Sequence, residues 1–258
     1  MKLFFREYPA AKPNAPVMII MHGLFGSCDN WLTQAKLFAQ DYHVFTIDQR
    51  NHGLSPHSDD FDYTFMVKDL VEFIDDHQLH NPIVIGHSMG GKTAMNFAIA
   101  HPDKLERLIV VDIAPRSYNL EHYTIADGLN AITIDSLTSR NEADEQLARF
   151  VPEADVRQFL LKNLQRKAEG GFSWKINLKV ITAKLSNVGV DLHYKGTFDK
   201  PTLFIKGNRS NYIKDSDANL ILQYFPQAKL EGMDTGHWVQ AEKPQEFVTL
   251  VHNYLQSL

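Results

Sequence analysis

The sequence predicts an α/β fold in which a mostly parallel, doubly wound sheet has helices on both faces. Short apolar runs alternate with amphipathic segments along the first half of the chain. These runs are apolar throughout rather than at every second residue, which is typical of strands buried on both faces of a parallel sheet. The alternating order of strand and helix favours right-handed crossover connections.

The individual elements follow from these patterns and from the residues that end them. One helix is predicted from an apolar stripe of Val67, Leu70, Val71 and Ile74. A second begins at Ser88 and ends near residue 100, ahead of a proline, and the last helix covers residues 244–255. The strands are predicted at residues 16–21, 43–47, 82–85, 108–111, 202–205 and 228–230.

The strand pattern stops between about residue 116 and residue 200, where the sequence becomes mainly helical. Ser139 and Glu142 have the spacing of an N-terminal capping box. Phe159, Leu160 and Leu164 supply the apolar face of a helix that begins near residue 153. We therefore predict a helical cap, or lid, at residues 116–200, inserted between the sixth and seventh strands. The core is predicted at residues 1–115 and 201–258, and the cap should cover the crevice beyond the carboxyl ends of the strands.

Composition restricts the classes of protein to which the chain can belong. Its 258 residues are 44% hydrophobic and 22% charged, which is ordinary for a globular chain. The single cysteine, Cys28, allows no internal disulfide, and charges at positions 2, 6 and 7 interrupt any apolar leader. No apolar stretch approaches the roughly 20 residues of a membrane span. We expect a cytoplasmic protein with no membrane partner.

Charge and residue spacing exclude further classes of ligand. The formal net charge of -5 and the lack of a basic stripe argue against a nucleic-acid partner. No metal-ligand spacing is present, so we expect no metal site. A small-molecule partner is expected, and a monomer and a homodimer both remain open.

The most informative motif is Gly86-x-Ser88-x-Gly90, at the end of a predicted strand and the start of a predicted helix. This is the pattern of a nucleophile elbow, in which a sharp turn exposes a serine hydroxyl. The serine holds a strained backbone there, and the two glycines leave room for the chain to pass close to itself. Ser88 is therefore the candidate nucleophile.

Other polar residues follow the ends of other predicted strands. His22-Gly23 follows the first, and the amides of Leu24 and Met89 are candidates for an oxyanion hole. A glycine-rich turn needed only for packing is the alternative. Asp112 follows the strand at 108–111, and His237 follows the last strand.

These blocks resemble the α/β-hydrolase family over nearly the whole chain. They are the His22-Gly23-x-x-Gly26 turn, the elbow, and the Gly236-His237 loop, in the order serine, acid, histidine. More narrowly, four blocks together are similar to the bacterial YbfF-type esterases, namely HGLFGS at 22–27, RNHGLS at 50–55, GHSMGGK at 86–92 and DIAP at 112–115.

The resemblance and the chemistry of acyl transfer assign the roles. His237 is the expected general base for Ser88, because an imidazole accepts and returns a proton near neutral pH. Many hydrolases of this fold carry the acid after the strand that follows the cap, where this chain has Ser210. Asp112 is therefore the expected acid, with Asp215 as the rival and a helix cap as the other interpretation of Asp112. The resemblance implies that Ser210 is an auxiliary partner of the His–Asp pair.

The remaining site residues concern the substrate. We expect His22, Phe25, His87 and Trp238 to line its pocket, although the histidines could instead hold backbone and the aromatic residues could be plain core. Asp48, with Arg50, is interpreted as a backbone or salt-bridge anchor.

A serine nucleophile predicts an acyl-enzyme, and so a carboxylesterase that needs no cofactor. Residues 149–184 contain eight basic and three acidic side chains. They form either a solvated helix face or a surface that steers an anionic substrate such as an acyl-CoA thioester, which the resemblance also implies. A carbon–carbon bond hydrolase and a non-catalytic ligand receptor of the same fold stay open as alternatives.

Overall fold

The computed structural model describes residues 1–118 and 122–258, and its centre is a seven-stranded sheet. The spatial order of the strands is β1-β3-β2-β4-β5-β8-β9, and every neighbouring pair is parallel except β1 with β3. The strands are β1 (Phe5–Tyr8), β2 (Val17–Met21), β3 (His43–Ile47), β4 (Ile83–His87), β5 (Arg107–Val111), β8 (Thr202–Gly207) and β9 (Ala228–Met233).

The continuous apolar runs form strands that are buried on both faces, as predicted. In β2, Ile19 and Met21 belong to one hydrophobic cluster, while Met18 and Ile20 belong to the cluster on the opposite face. The α-helices of the described residues are α1 (Leu32–Phe38), α2 (Tyr63–Asp76), α3 (Met89–Ala100), α4 (His122–Ala131), α5 (Arg140–Leu147), α6 (Ala154–Leu161), α7 (Leu178–Ala183), α8 (Ala218–Tyr224), α9 (Val239–Glu242) and α10 (Pro244–Gln256).

Two features of the sheet differ from the prediction. The edge strand β1 was not predicted, because its residues 5–8 are at most half-buried and lack an apolar run. The segment between β5 and β8 follows the fifth strand of the main sheet and precedes the sixth. The prediction of an insertion between the sixth and seventh strands is therefore wrong by one strand. It required two strands ahead of β2, whereas the described residues contain only β1 there.

The segment between β5 and β8 is not wholly helical. Leu164 was predicted on a helix but lies in β6 (Leu164–Arg166), which pairs with β7 (Phe172–Trp174) in a small antiparallel sheet. The helix before it ends at Leu161, and the amide of Asn163 caps it by donating to the carbonyl of Leu160 at 3.1 Å. Ser139 caps α5 as predicted, and the Glu142 carboxylate also accepts from the Thr138 amide at 2.9 Å.

The cap segment is anchored to loops of the sheet layer by side-chain hydrogen bonds. The Asn163 amide donates to the Phe25 carbonyl at 2.7 Å, and the Tyr63 hydroxyl donates to the Val188 carbonyl at 2.8 Å. Apolar residues of the cap share a cluster with Leu24 and Met89. The cap boundaries at 116 and 200 stay a prediction, and residues 119–121 lie outside the described part. Along the described ranges, no helix combines the length and apolar character needed to cross a membrane.

Lys92 is a buried cation on α3 that joins both ends of the cap segment. Its ammonium donates to the carbonyls of Arg116 and Val190, and it lies 5.3 Å from the ring centroid of Tyr118. The residue is 1% exposed, and burial lowers the pKa of Lys92 from 10.5 to about 7. Burial thus disfavours the charged form of Lys92 in the folded protein, whereas the lysine of the unfolded chain is hydrated and keeps its ordinary pKa.

We predict that Lys92→Met changes how stability depends on pH. Between pH 7 and 10.5 the unfolded wild type binds a proton at Lys92 that the folded protein does not, so wild-type stability rises with pH in this window. Denaturant unfolding should show the wild type gaining stability relative to Lys92→Met from pH 7 to pH 10. Lys179→Met, at an exposed cap position, controls for the loss of one lysine. A difference for Lys92→Met that stays constant across this range would contradict the prediction.

Candidate active site

The turn between β4 and α3 holds Ser88 in a strained conformation, with φ 52° and ψ -118°. A Cβ atom on Gly86 would lie 2.2 Å from the Gly90 carbonyl oxygen, and one on Gly90 would lie 2.6 Å from the His22 carbonyl oxygen. Only glycine fits at either position. The Ser88 amide donates to the Val111 carbonyl at 3.0 Å, so the strained residue is fixed to the neighbouring strand.

His237 and Asp112 form a hydrogen-bonded pair beside this turn. The Nδ1 atom of His237 donates to Oδ2 of Asp112 at 2.8 Å, and Asp112 is fully buried at the end of β5. The Asp112 carboxylate also accepts from the Gly207 amide at 3.0 Å and from the Ser210 hydroxyl. Because Nδ1 donates to Asp112, Nε2 is the ring nitrogen left to accept a proton.

The structure places the other candidate carboxylates away from His237. Asp215 has a 92% exposed side chain and pairs with Lys206 at 2.6 Å, while Asp217 pairs with Arg116 at 3.0 Å. Asp112 is thus the carboxylate in contact with this imidazole, and Ser210 touches that carboxylate as the resemblance implied. Across residues 1–118 and 122–258, no three histidine, cysteine or acidic side chains cluster in a way that could hold a metal ion.

Leu24 and Met89, whose amides are the candidate oxyanion donors, line a cavity that also contains Ser88. Within the described residues neither amide donates a hydrogen bond to the protein. The turn after β2 is tight, with the Gly26 amide donating to the Gly23 carbonyl at 3.0 Å. A Cβ atom on Gly23 would lie 3.2 Å from the Cβ atom of Ser88, so this glycine lets the turn after β2 approach the nucleophile closely.

Buried neutral histidines hold the turn at residues 22–26. His22 accepts from the Gln49 amide at 3.0 Å and donates to the Gly23 carbonyl, and burial lowers the pKa of His22 to about 4. His52 accepts from the Phe25 amide at 3.2 Å and donates to the Arg50 carbonyl, and burial lowers its pKa to about 3. Both rings serve the backbone, which is the alternative that the sequence left open.

His87 serves the backbone of the histidine loop. Its Nε2 donates to the His237 carbonyl at 2.8 Å, and burial lowers the pKa of His87 well below its ordinary value, so the ring is neutral. Asp48 is also a backbone anchor, since it accepts from the amides of Cys28 and Leu54. Arg50 makes its ion pair with Asp69 at 2.7 Å rather than with Asp48.

Two cavities open on Ser88 and His237. The apolar cavity has a volume of about 310 Å³ and includes the predicted pocket residues His22, Phe25, His87 and Trp238. Apolar residues of the cap also line it, and the ring of Phe159 lies 5.5 Å from that of Trp238. The second cavity, here the polar cleft, has a volume of about 470 Å³ and contains Leu24 and Met89 as well.

Two site residues were missed by sequence reasoning. The ring of Tyr212 stacks on His237 with centroids 3.8 Å apart, and the amide of Gly207 binds Asp112. A Cβ atom on Gly207 would lie 2.2 Å from the Gly236 carbonyl oxygen, so the histidine loop crosses directly over this glycine. The only sequence signal for these contacts was the position of both residues at the end of β8 or in the loop that follows it.

Comparison with known proteins places this geometry in a family. Residues 16–244 match the family described as the alpha/beta hydrolase fold. The chain belongs to that family. Esterase YbfF of Escherichia coli is 34% identical over 259 residues, which cover 99% of each chain. The sn-1-specific diacylglycerol lipase ABHD11 of Mus musculus is 39% identical over 249 residues, covering 93% of this chain and 81% of the relative.

A solved structure agrees with these relatives. The structure of a marine microorganism esterase matches this chain with a TM-score of 0.94 and 41% sequence identity. The match covers 98% of this chain and 99% of the esterase. The predicted fold class and the predicted resemblance to YbfF-type esterases are confirmed. These relatives are named as esterases and a lipase, which are hydrolases of ester bonds, as the sequence analysis expected.

We predict that Ser88→Gly is more stable than Ser88→Ala. A positive φ costs a residue with a Cβ atom about 1–3 kcal/mol, whereas glycine adopts it freely and loses only about 0.5–1 kcal/mol in chain entropy. Thermal unfolding should give the glycine variant the higher Tm. A higher Tm for Ser88→Ala would show that this backbone conformation stores no strain in the folded protein.

Proposed function

We propose that this α/β hydrolase is a serine carboxylesterase with Ser88 as nucleophile, His237 as general base and Asp112 as the acid that orients it. The observation that carries the proposal is the 2.8 Å contact of His237 with buried Asp112, on a ring that lines the same cavities as Ser88. This arrangement supports acyl transfer because a serine hydroxyl is a weak nucleophile without an adjacent base.

In the proposed reaction, Ser88 attacks the ester carbonyl carbon while Nε2 of His237 takes its proton. The amides of Leu24 and Met89 bind the resulting oxyanion, and each such donor contributes about 10²–10³-fold to the rate. His237 returns the proton to the leaving alcohol as the carbon–oxygen bond breaks. A water molecule, deprotonated by His237, then attacks the acyl-enzyme and releases the acid and Ser88.

Ser210 is proposed as an auxiliary group that acts through Asp112. Its hydroxyl donates to Oδ2, the same oxygen that accepts from His237. Together with the Gly207 amide it satisfies a carboxylate that would be costly to bury alone. In this arrangement the Asp112 carboxylate is placed to stabilise the imidazolium that forms when His237 takes the serine proton.

The volume of the apolar cavity supports a preference for short to medium acyl chains. Its volume of about 310 Å³ is at the lower end of the usual range of small-molecule sites. The Phe25, Phe159 and Trp238 side chains line it and would exclude water from the acyl group. A thioester carbonyl fits the same proposed chemistry, so acyl-CoA thioesters are included among the substrates to be tested. The single buried cysteine favours a cytoplasmic location.

Hydrolysis of a p-nitrophenyl ester series from C2 to C16 tests the function, with butyryl-CoA and palmitoyl-CoA beside it. We expect the wild type to favour short to medium chains and Ser88→Ala to lose on the order of 10⁶-fold in kcat, because the nucleophile is lost. Circular dichroism of Ser88→Ala controls for folding. A folded wild type inactive on all of them would contradict the proposal and favour a carbon–carbon bond hydrolase or a receptor, and activity retained by Ser88→Ala would assign the chemistry to another residue.

Asp112→Asn and Asp215→Asn, compared as a matched pair, test the choice of acid. Asp112→Asn should lower kcat on the order of 10³–10⁴-fold, because an amide cannot hold His237 in the required tautomer. Asp215→Asn should change kcat less than about twofold, since its side chain is 92% exposed. The opposite pattern, with the loss in Asp215→Asn alone, would overturn the assignment of Asp112.

A further inference from the structure

The polar cleft differs in charge from the apolar cavity on the other side of Ser88. Among the described residues that line it are three cations, Arg116, Arg209 and Lys214, and no carboxylate. The apolar cavity has one cation, Lys162, with two carboxylates, Asp155 and Glu242, among its described lining residues. The two cavities beside the reacting serine thus differ in the sign of the charged side chains that line them.

The two arginines of the polar cleft are already engaged. Arg116 pairs with Asp217, and its guanidinium also donates to the carbonyls of Asn211 and Tyr212. Arg209 pairs with Asp234 at 2.7 Å and with Glu242 at 2.8 Å. The arginines therefore fix the loop that follows β8, while their counterions neutralise much of their charge.

Lys214 is different because its ammonium has no ion-pair partner in the described part of the chain. Its backbone amide is held by Asp217 at 2.8 Å, so the base of the side chain is fixed although the residue is exposed. A lysine on a flexible stem is a compact charge suited to an anionic group. Within the described residues, Lys214 is thus the cation of the cleft that has no ion-pair partner.

We propose that the polar cleft binds an anionic group, a carboxylate or a phosphate, on the leaving alcohol of the substrate, and that Lys214 determines this preference. The inference rests on the proposed esterase function. A substrate that reacts at Ser88 must extend to both sides of it, and the apolar cavity suits the acyl chain. The alcohol then lies in the polar cleft, where His237 also reaches it.

The test uses butyrate esters of para-substituted phenols, two of which carry an anionic group and one of which is neutral. The substrates are the butyrate esters of 4-hydroxybenzoate and of 4-hydroxyphenyl phosphate, with the ester of methyl 4-hydroxybenzoate as the neutral reference. We expect the ratio of kcat/KM for each anionic ester to that for the neutral ester to fall about tenfold in Lys214→Gln. This is the loss of one charge-assisted hydrogen bond in a partly solvated cleft. Intrinsic reactivity cancels, because the same ratio is compared between enzymes.

Lys179→Gln is the matched control, since it removes the same charge from an exposed cap position that lines neither cavity. We expect it to leave the ratio unchanged. An unchanged ratio in Lys214→Gln would overturn the proposal. An equal fall in both variants would also overturn it, because the fall would then reflect the net charge of the protein.

A second pair of substrates, p-nitrophenyl hydrogen glutarate and p-nitrophenyl valerate, places the anion on the acyl group. A fall in Lys214→Gln for that pair alone would overturn the assignment to the alcohol.

A binding measurement separates failure of this inference from failure of the esterase function. Calorimetry compares 4-hydroxybenzoate with 4-hydroxybenzamide on the wild type and on Lys214→Gln. Tighter binding of the anion that is lost in Lys214→Gln would support the anion site even if the wild type hydrolysed no ester. Equal binding of both ligands by the wild type would overturn the site, whatever the result of the ester assays.

Discussion

The site depends on one backbone constraint, the positive φ of Ser88 between a buried strand and a buried helix. The turn closes only because Gly86 and Gly90 lack side chains, and a Cβ atom at either position would collide with backbone. The collision at Gly90 would be with the turn after β2, which presents the Leu24 amide. The same constraint therefore sets the position of Ser88 relative to the turn after β2. Strain of this kind persists only where the surrounding structure enforces it, and here the strands on either side do so.

A second close approach sets the acid and the base. The loop that bears His237 crosses over Gly207, and the amide of that same glycine holds the Asp112 carboxylate. His87, next to the nucleophile in sequence, ties down the carbonyl of His237, so the elbow and the histidine loop are linked directly. Because Tyr212 also stacks on the imidazole, the ring is fixed on its Nδ1 edge and on one face. The loop after β8 thus serves both as support for the proposed triad and as a wall of the polar cleft.

Local signals in the sequence were sufficient for most of the fold and for the residues at strand ends. Ser88 and Asp112 each follow a buried apolar run and His237 follows the last strand, and parallel strands bring their carboxyl ends to one edge of the sheet. The edge strand β1 and the small sheet of the cap were missed because both are short and have no apolar periodicity of their own. The stacking of Tyr212 and the neutral histidines that support the backbone depend on contacts between residues far apart in sequence. The charge difference between the two cavities depends on the same kind of contact, so no local pattern could have revealed it.

Covalent labelling by a fluorophosphonate, followed by intact mass and peptide mapping, tests the central claim most directly. Such a reagent forms a stable adduct with a serine only where a base and an oxyanion site activate it. We predict one adduct per chain, on the peptide that contains Ser88, formed on the order of 10³-fold more slowly in His237→Ala. A folded protein that gave no adduct, or that was labelled at a different residue, would contradict the claim that the strained elbow presents an activated nucleophile.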